Sequence, residues 1–268
     1  MPRIEESPKS GITKIITDEP TEDDALDFNK YSQKLADIIA NSTPRFAIGV
    51  FGGWGTGKTS LMQMTKKILD DNSKIVTVWF DAWRYEREQN VAVIPFLRTI
   101  KLTIDASEKS KEGKWQGVKN GIKRSAAAFL TSTKITYGIK DVVSAETDLG
   151  NVADSLKGDG TVGDDRGNIY YYVTQFIEKA LKDLREDDTN YRIVVFIDDL
   201  DRCSPDRALE VLESIKSFFD IEGIVYVIGM DSETINFLVK KKYGEESAVK
   251  GLDYLQKIRA VEKRHQLL

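Results

Sequence analysis

The stretch Gly52-Gly53-Trp54-Gly55-Thr56-Gly57-Lys58-Thr59 has the spacing G-x-x-x-x-G-K-[ST]. Before it runs Phe46-Ala47-Ile48-Gly49-Val50-Phe51, an unbroken apolar run that reads as a buried strand. After it, Ser60 to Leu69 reads as a helix. A chance glycine-rich turn would not need those two flanks. Strand, glycine loop and helix in this order commit the chain to an α/β sandwich. The glycines let successive N–H groups curl around an anion without Cβ clashes. The helix that follows aims its positive end at the same point. Gly52, Gly53, Trp54, Gly55, Thr56, Gly57, Lys58, Thr59 and Ser60 are therefore the expected cradle for nucleotide phosphates. Lys58 would place a charge between the β- and γ-phosphates, and the Thr59 hydroxyl would ligate Mg²⁺.

Composition narrows the chemistry. Cys203 and His265 are the only cysteine and histidine of the 268 residues. An internal disulfide, a cysteine cage for a metal, and a histidine-based zinc site or Ser-His catalysis are excluded by count. The formal net charge of -4 argues against bulk binding of nucleic acid, and no specific nucleic-acid signal stands out. The N-terminus lacks the apolar core of a signal peptide, and no uncharged run reaches membrane-spanning length. The chain reads as cytoplasmic, with a peripheral position at the membrane as the variant of that reading.

Residues 1–44 read as a polar arm and a lead-in helix with Phe28, Tyr31, Leu35, Ile38 and Ile39 on its apolar face. Thr21 or Asp23-Asp24 would cap it, and it would cover either an adenine or the sheet edge. Residues 45–105 and 166–243 read as the core. Its further strands are Lys74 to Phe80, Arg192 to Ile197 and Ile224 to Met230. A helix from Val91 to Ile104 carries Pro95 as an irregularity. Ser204-Pro205-Asp206 opens another helix, which Gly223 ends. Residues 106–165 read as a mainly helical insertion rich in Lys and Arg, either a solvated insert or a basic surface that touches membrane or nucleic acid. Residues 244–268 form a short, charged C-terminal segment.

The Ile193 strand ends in Asp198-Asp199-Leu200-Asp201-Arg202. A carboxylate at the tip of a buried strand needs a positive partner. Asp198 is expected to hold Mg²⁺ through water, and Asp199 to orient and polarise an attacking water. The bland reading is that both only cap the next helix. Asp231 either senses the γ-phosphate or caps the helix it precedes. Arg202 is a possible sensor, pairing with Asp201, reaching a neighbouring subunit's phosphate, or forming a surface ion pair.

Three segments together resemble the KAP family of P-loop NTPases: the loop with Trp54, then Trp79-Phe80-Asp81-Ala82-Trp83-Arg84-Tyr85-Glu86, then Phe196-Ile197-Asp198-Asp199-Leu200-Asp201-Arg202-Cys203. The resemblance runs from about Thr21 to Leu255. It implies an ATPase core related to the AAA+ and STAND classes, with ATP and Mg²⁺ as cofactors. Preference for adenine rests on the resemblance alone. Many relatives carry transmembrane helices in the insertion, which this chain lacks. Bacterial members are linked to phage exclusion and animal members to membrane-associated signalling, so an unidentified protein partner is implied. The match reaches Ile258, after which a last strand and a helical lid are expected to be missing.

The fold expected is a three-layer α/β sandwich of the ASCE type around a parallel sheet. The Ile193 strand is placed between the Lys74 strand and the phosphate-loop strand, with the Ile224 strand on the loop strand's other side. That order leaves the Ile224 strand as an exposed edge open to self-association. The function expected is Mg²⁺-dependent binding of ATP and its slow hydrolysis as a conformational switch. The alternatives are a nucleotide-binding or scaffolding module without turnover, and a P-loop kinase acting on a small molecule.

Overall fold

A computed structural model of the protein describes residues 28–86, 92–110, 113–133, 169–216 and 218–244. The arm to Glu22, the caps at Thr21, Asp23 and Asp24, the end of the insertion and the segment from Leu252 to Ile258 lie outside the described residues.

Four strands form one all-parallel sheet: β1 (Arg45–Phe51), β2 (Ile75–Asp81), β3 (Arg192–Asp198) and β4 (Ile224–Met230). Side chains alternate across it, as the pleat requires. Val76, Val78, Phe80, Ile193, Val195, Ile197, Ile224, Tyr226 and Ile228 face one core. Ile75, Val194, Phe196, Val225 and Val227 face the other, with Phe46 and Val50 of β1. The second core is closed by α1 (Asn29–Asn41) and α2 (Lys58–Asp70). The first is closed by α3 (Val93–Ala106), α4 (Gln116–Thr133), α5 (Ile169–Arg185), α6 (Pro205–Lys216) and α7 (Ser232–Tyr243). This is the three-layer α/β sandwich the sequence predicts.

The strand order is β1-β4-β3-β2, which corrects the expected one. β4 is hydrogen-bonded on both sides, to β1 and to β3. The exposed edge and the self-association expected at the Ile224 strand therefore have no free strand to use. Among the described residues β1 is the outer strand on that side. The burial pattern gives the reason. All seven residues of β4 are buried, whereas β1 begins and ends on exposed residues, Arg45 and Phe51. An unbroken apolar strand belongs inside a parallel sheet.

Other departures are local. On α1 the buried residues are Ser32, Ala36 and Ile39, while Tyr31 and Ile38 stay exposed at 41% and 43%. Small side chains let α1 lie close to α2. The end of α1 is drawn in by the buried Arg192 guanidinium, whose Nη1 donates to Ile39 O at 2.5 Å and Ser42 O at 2.9 Å. Pro95 does not distort α3, because it sits in the first turn where no intrahelical donor is needed. α6 ends at Lys216, before Gly223. Gly223, at φ +102°, instead leads into β4 and donates its N–H to Pro44 O at 2.7 Å. Trp115, Val118 and Ile122, from the stretch set apart as an insertion, are buried in the same core as β3 and α6.

Candidate nucleotide site

All four parallel strands end on one side of the sheet. Asp81 of β2 is in register with Asp198 of β3, and Phe51 of β1 with Met230 of β4. The glycine loop leaves β1 there, with Gly52 N donating to Met230 O at 3.3 Å. Gly55 at φ +72° and Gly57 at φ +86° take the left-handed backbone that turns the loop into α2. Gly57 is the N-cap and Lys58 the first helical residue, so the first-turn amides of α2 lie at the end of the loop. Lys58 Nζ donates to Gly52 O at 3.0 Å and Gly53 O at 2.9 Å, and lies 3.2 Å from Asp201 Oδ2.

The end of β3 lies beside that loop. The Thr59 hydroxyl hydrogen-bonds the Asp198 carboxylate, which is only 3% exposed. Burial pushes the Asp198 carboxyl above its ordinary range, against the Thr59 hydrogen bond. A Cβ on Gly229 would lie 3.1 Å from Asp198 Oδ1, so the glycine in β4 is what gives this carboxylate room. Thr59 and Asp198 together offer two hard oxygen donors in a desolvated place. Among the described residues no group of three or more His, Cys, Asp or Glu could hold a metal ion. The pair of oxygen donors is of the kind that suits Mg²⁺, which binds few protein oxygens and keeps most of its waters.

Asp199 follows at φ 57°, the one left-handed non-glycine among the described residues. Asp and Asn tolerate that conformation better than other side chains, yet it remains uncommon. Burial, then the neighbouring Asp198 charge, pushes the Asp199 carboxyl up to about 6, with Arg202 pulling against them. Arg202 Nε lies 2.7 Å from Asp199 Oδ1, and its guanidinium stands 4.7 Å from the centre of the Trp54 ring. Arg202 thus pairs with Asp199 and not with Asp201, whose partner is Lys58. Asp231 is an N-cap: its Oδ1 accepts from Glu233 N at 2.9 Å. Burial pushes the Cys203 thiol up to about 12, so it is an inert core residue.

Four contributors escape the sequence reading. Asp201 and Gly229 are two. The others hold the loop after β3 in place: Glu86 Oε1 accepts from Ser204 N at 2.8 Å, and Arg207 Nη2 donates to Tyr85 O at 3.1 Å. Ala82 N adds a bond to Asp198 O at 3.0 Å. The segment from Trp79 to Glu86 is therefore the shoulder against which the Asp198 loop rests. Trp79 stacks on Phe196 and Tyr85 on Phe80, at 5.7 and 5.0 Å between ring centres. The signal in the sequence was the co-occurrence of the two segments, without a hint of which atoms meet.

A parallel sheet with a glycine loop, a lysine and a buried aspartate at one edge defines a P-loop NTPase domain. A profile described as the KAP family P-loop domain matches residues 28–262, and the chain belongs to that family. The chain is also similar to the uncharacterized protein MJ0182 of Methanocaldococcus jannaschii, 26% identical over 173 residues, which is 57% of this chain and 89% of that protein. No helix among the described residues is long and apolar enough to cross a membrane.

Proposed function

We propose that the chain binds ATP with Mg²⁺ in the Gly52–Ser60 cradle and hydrolyses it slowly, as a conformational switch. What supports this most is convergence: Thr59 meets Asp198 and Lys58 meets Asp201, although the two stretches are far apart in sequence. In this reading Lys58 sets its charge between the β- and γ-phosphates. Thr59 and Asp198 hold Mg²⁺, which when bound neutralises charge on the phosphate oxygens. Asp199 accepts a proton from water as the water oxygen attacks the γ-phosphorus; the bond to the bridging oxygen breaks, and ADP and phosphate leave. A kinase must exclude an activated water, so a carboxylate at Asp199 favours hydrolysis.

The test is phosphate release with Mg²⁺ and with EDTA. Lys58→Ala should weaken Mg–ATP binding by about 1.5–3 kcal/mol, a loss of roughly 10–150-fold in Kd. Asp198→Asn should lose the Mg²⁺ dependence of binding. Asp199→Asn should keep binding and lose release. Equal loss of binding in both aspartate variants would refute the assigned roles, and undiminished binding by Lys58→Ala would refute the site. A module that binds without turnover is favoured by one observation, the engagement of Asp199 by Arg202. Under that reading the parent releases no more phosphate than Asp199→Asn.

A further inference from the structure

Trp54 is 69% exposed, on a loop otherwise built of glycine and threonine. Water does not favour so large an apolar ring there, and the phosphate cradle itself uses backbone groups. The ring has a specific neighbour instead. Arg202 lies over it at 4.7 Å. A guanidinium is planar: it can stack by its face while its edge donates hydrogen bonds. Arg202 faces both, lying over the ring at 4.7 Å and pairing with Asp199, whose Oδ1 is 2.7 Å from its Nε. The guanidinium is thus held between the indole ring of the loop tip and the Asp199 carboxylate, so a shift of the loop tip moves the cation that Asp199 faces. The left-handed turn at Asp199 brings residues i and i+3 together for this contact. With Oδ1 engaged, proton acceptance falls to Oδ2.

We propose that Trp54 and Arg202 are positioning residues that couple the tip of the phosphate loop to the orientation of the Asp199 carboxylate. A triphosphate that settles the loop then sets the group that activates water. The effect on rate rests on the hydrolysis reading above; the coupling rests on the geometry alone. An ordinary surface ion pair between Arg202 and Asp199 would need no tryptophan.

Two measurements test it. The first needs no turnover. The Arg202 Nε–H proton, assigned by its loss in Arg202→Lys, should show a ring-current shift in the parent. It should move toward the free-arginine position in Trp54→Ala, and move again when Mg–ATP is added to the parent but not to Lys58→Ala. The second is steady-state phosphate release. Trp54→Ala should lower kcat about tenfold with KM within about twofold, because a misoriented group slows chemistry more than binding. Arg202→Lys keeps the charge without the plane and should fall with Trp54→Ala, while Trp54→Phe should recover most of the loss. The double variant Trp54→Ala/Arg202→Ala should lose no more than the worse single variant. Additive losses, an unchanged kcat in Trp54→Ala, or an unmoved proton in Trp54→Ala would overturn the proposal. If the parent releases no phosphate, the hydrolysis reading fails, and the resonance alone decides the coupling.

Discussion

Asp199→Asn should make the protein more stable at neutral pH, by an amount that depends on pH in a defined window. The Asp199 carboxyl is pushed up to about 6 by burial and then by Asp198, whereas an aspartate in an unfolded chain titrates near 3.9. Between about pH 4 and pH 6 the folded protein holds a proton that the unfolded chain has released. Stability therefore falls as pH rises through that window, and the deficit is complete above it. Taken at face value the shift corresponds to about 3 kcal/mol, but the side chain keeps 20% of its surface in water. Solvent screening reduces the expected deficit to about 1–2 kcal/mol. Asn has no proton to lose, and its amide oxygen can still face the Arg202 guanidinium. Its tolerance of the left-handed backbone adds an offset that does not vary with pH. The assay is urea unfolding of parent and variant at pH 4, 5, 6 and 7, with EDTA and without nucleotide, so that no cation alters the carboxyl. The difference between the two should grow by about 1–2 kcal/mol from pH 4 to pH 7. A difference that stays flat, or a parent that gains on the variant at pH 7, would refute the argument.

Two further outcomes follow from packing around the sheet. In Gly229→Ala the new Cβ would lie 2.8 Å from Met62 Sδ and 3.1 Å from Asp198 Oδ1. Met62 can flex, so the lasting effect should fall on the carboxylate: Mg–ATP affinity measured by calorimetry should drop about tenfold, with about 1–3 kcal/mol lost in urea unfolding. Unchanged affinity would show that Asp198 has more room than the geometry gives it. Arg192→Met should destabilise the fold by about 2 kcal/mol, because the carbonyls of Ile39, Ser42 and Asn190 lose a charged donor. A denaturation midpoint equal to the parent's would mean that Arg192 does not hold α1 to the sheet.

The strands, the loop and the helix starts were legible because each is written in a few adjacent residues. Asp231 could be read as a cap from its place before Ser232, and the structure makes it one. Strand order is different in kind. Nothing between Lys74 and Met230 says locally whether β4 pairs with β1 from outside or from between β1 and β3. The usable signal was at the ends: Ile224 to Met230 is apolar from first residue to last, while β1 opens on the charged Arg45. The apolar face of α1 was misread for a related reason. Helical period selects a stripe by hydrophobicity, but a close helix contact selects Ser32 and Ala36 by size.

The same distinction governs the site. Lys58, Thr59 and Asp198 announce themselves because their chemistry demands a residue type at a spacing. Asp201, Gly229, Glu86 and the Trp54–Arg202 contact do not, because each matters only through what the fold places beside it. Those neighbours also explain why the cation is integral to the reading. Asp81, Asp198 and Asp201 all bear on Asp199 at the sheet edge, and each raises its carboxyl. Lys58 is set against Asp201, Arg84 against Asp81 and Arg202 against Asp199. Each cation is thus already matched to a carboxylate, and Asp198 is left with a hydroxyl and a backbone amide as its hydrogen-bond partners. A triphosphate brought in alone would add negative charge to an edge whose positive charges are already engaged. Brought in with Mg²⁺, it would meet a buried carboxylate that gains from the same ion, so the desolvation of Asp198 and the charge of the phosphates would be offset by one event.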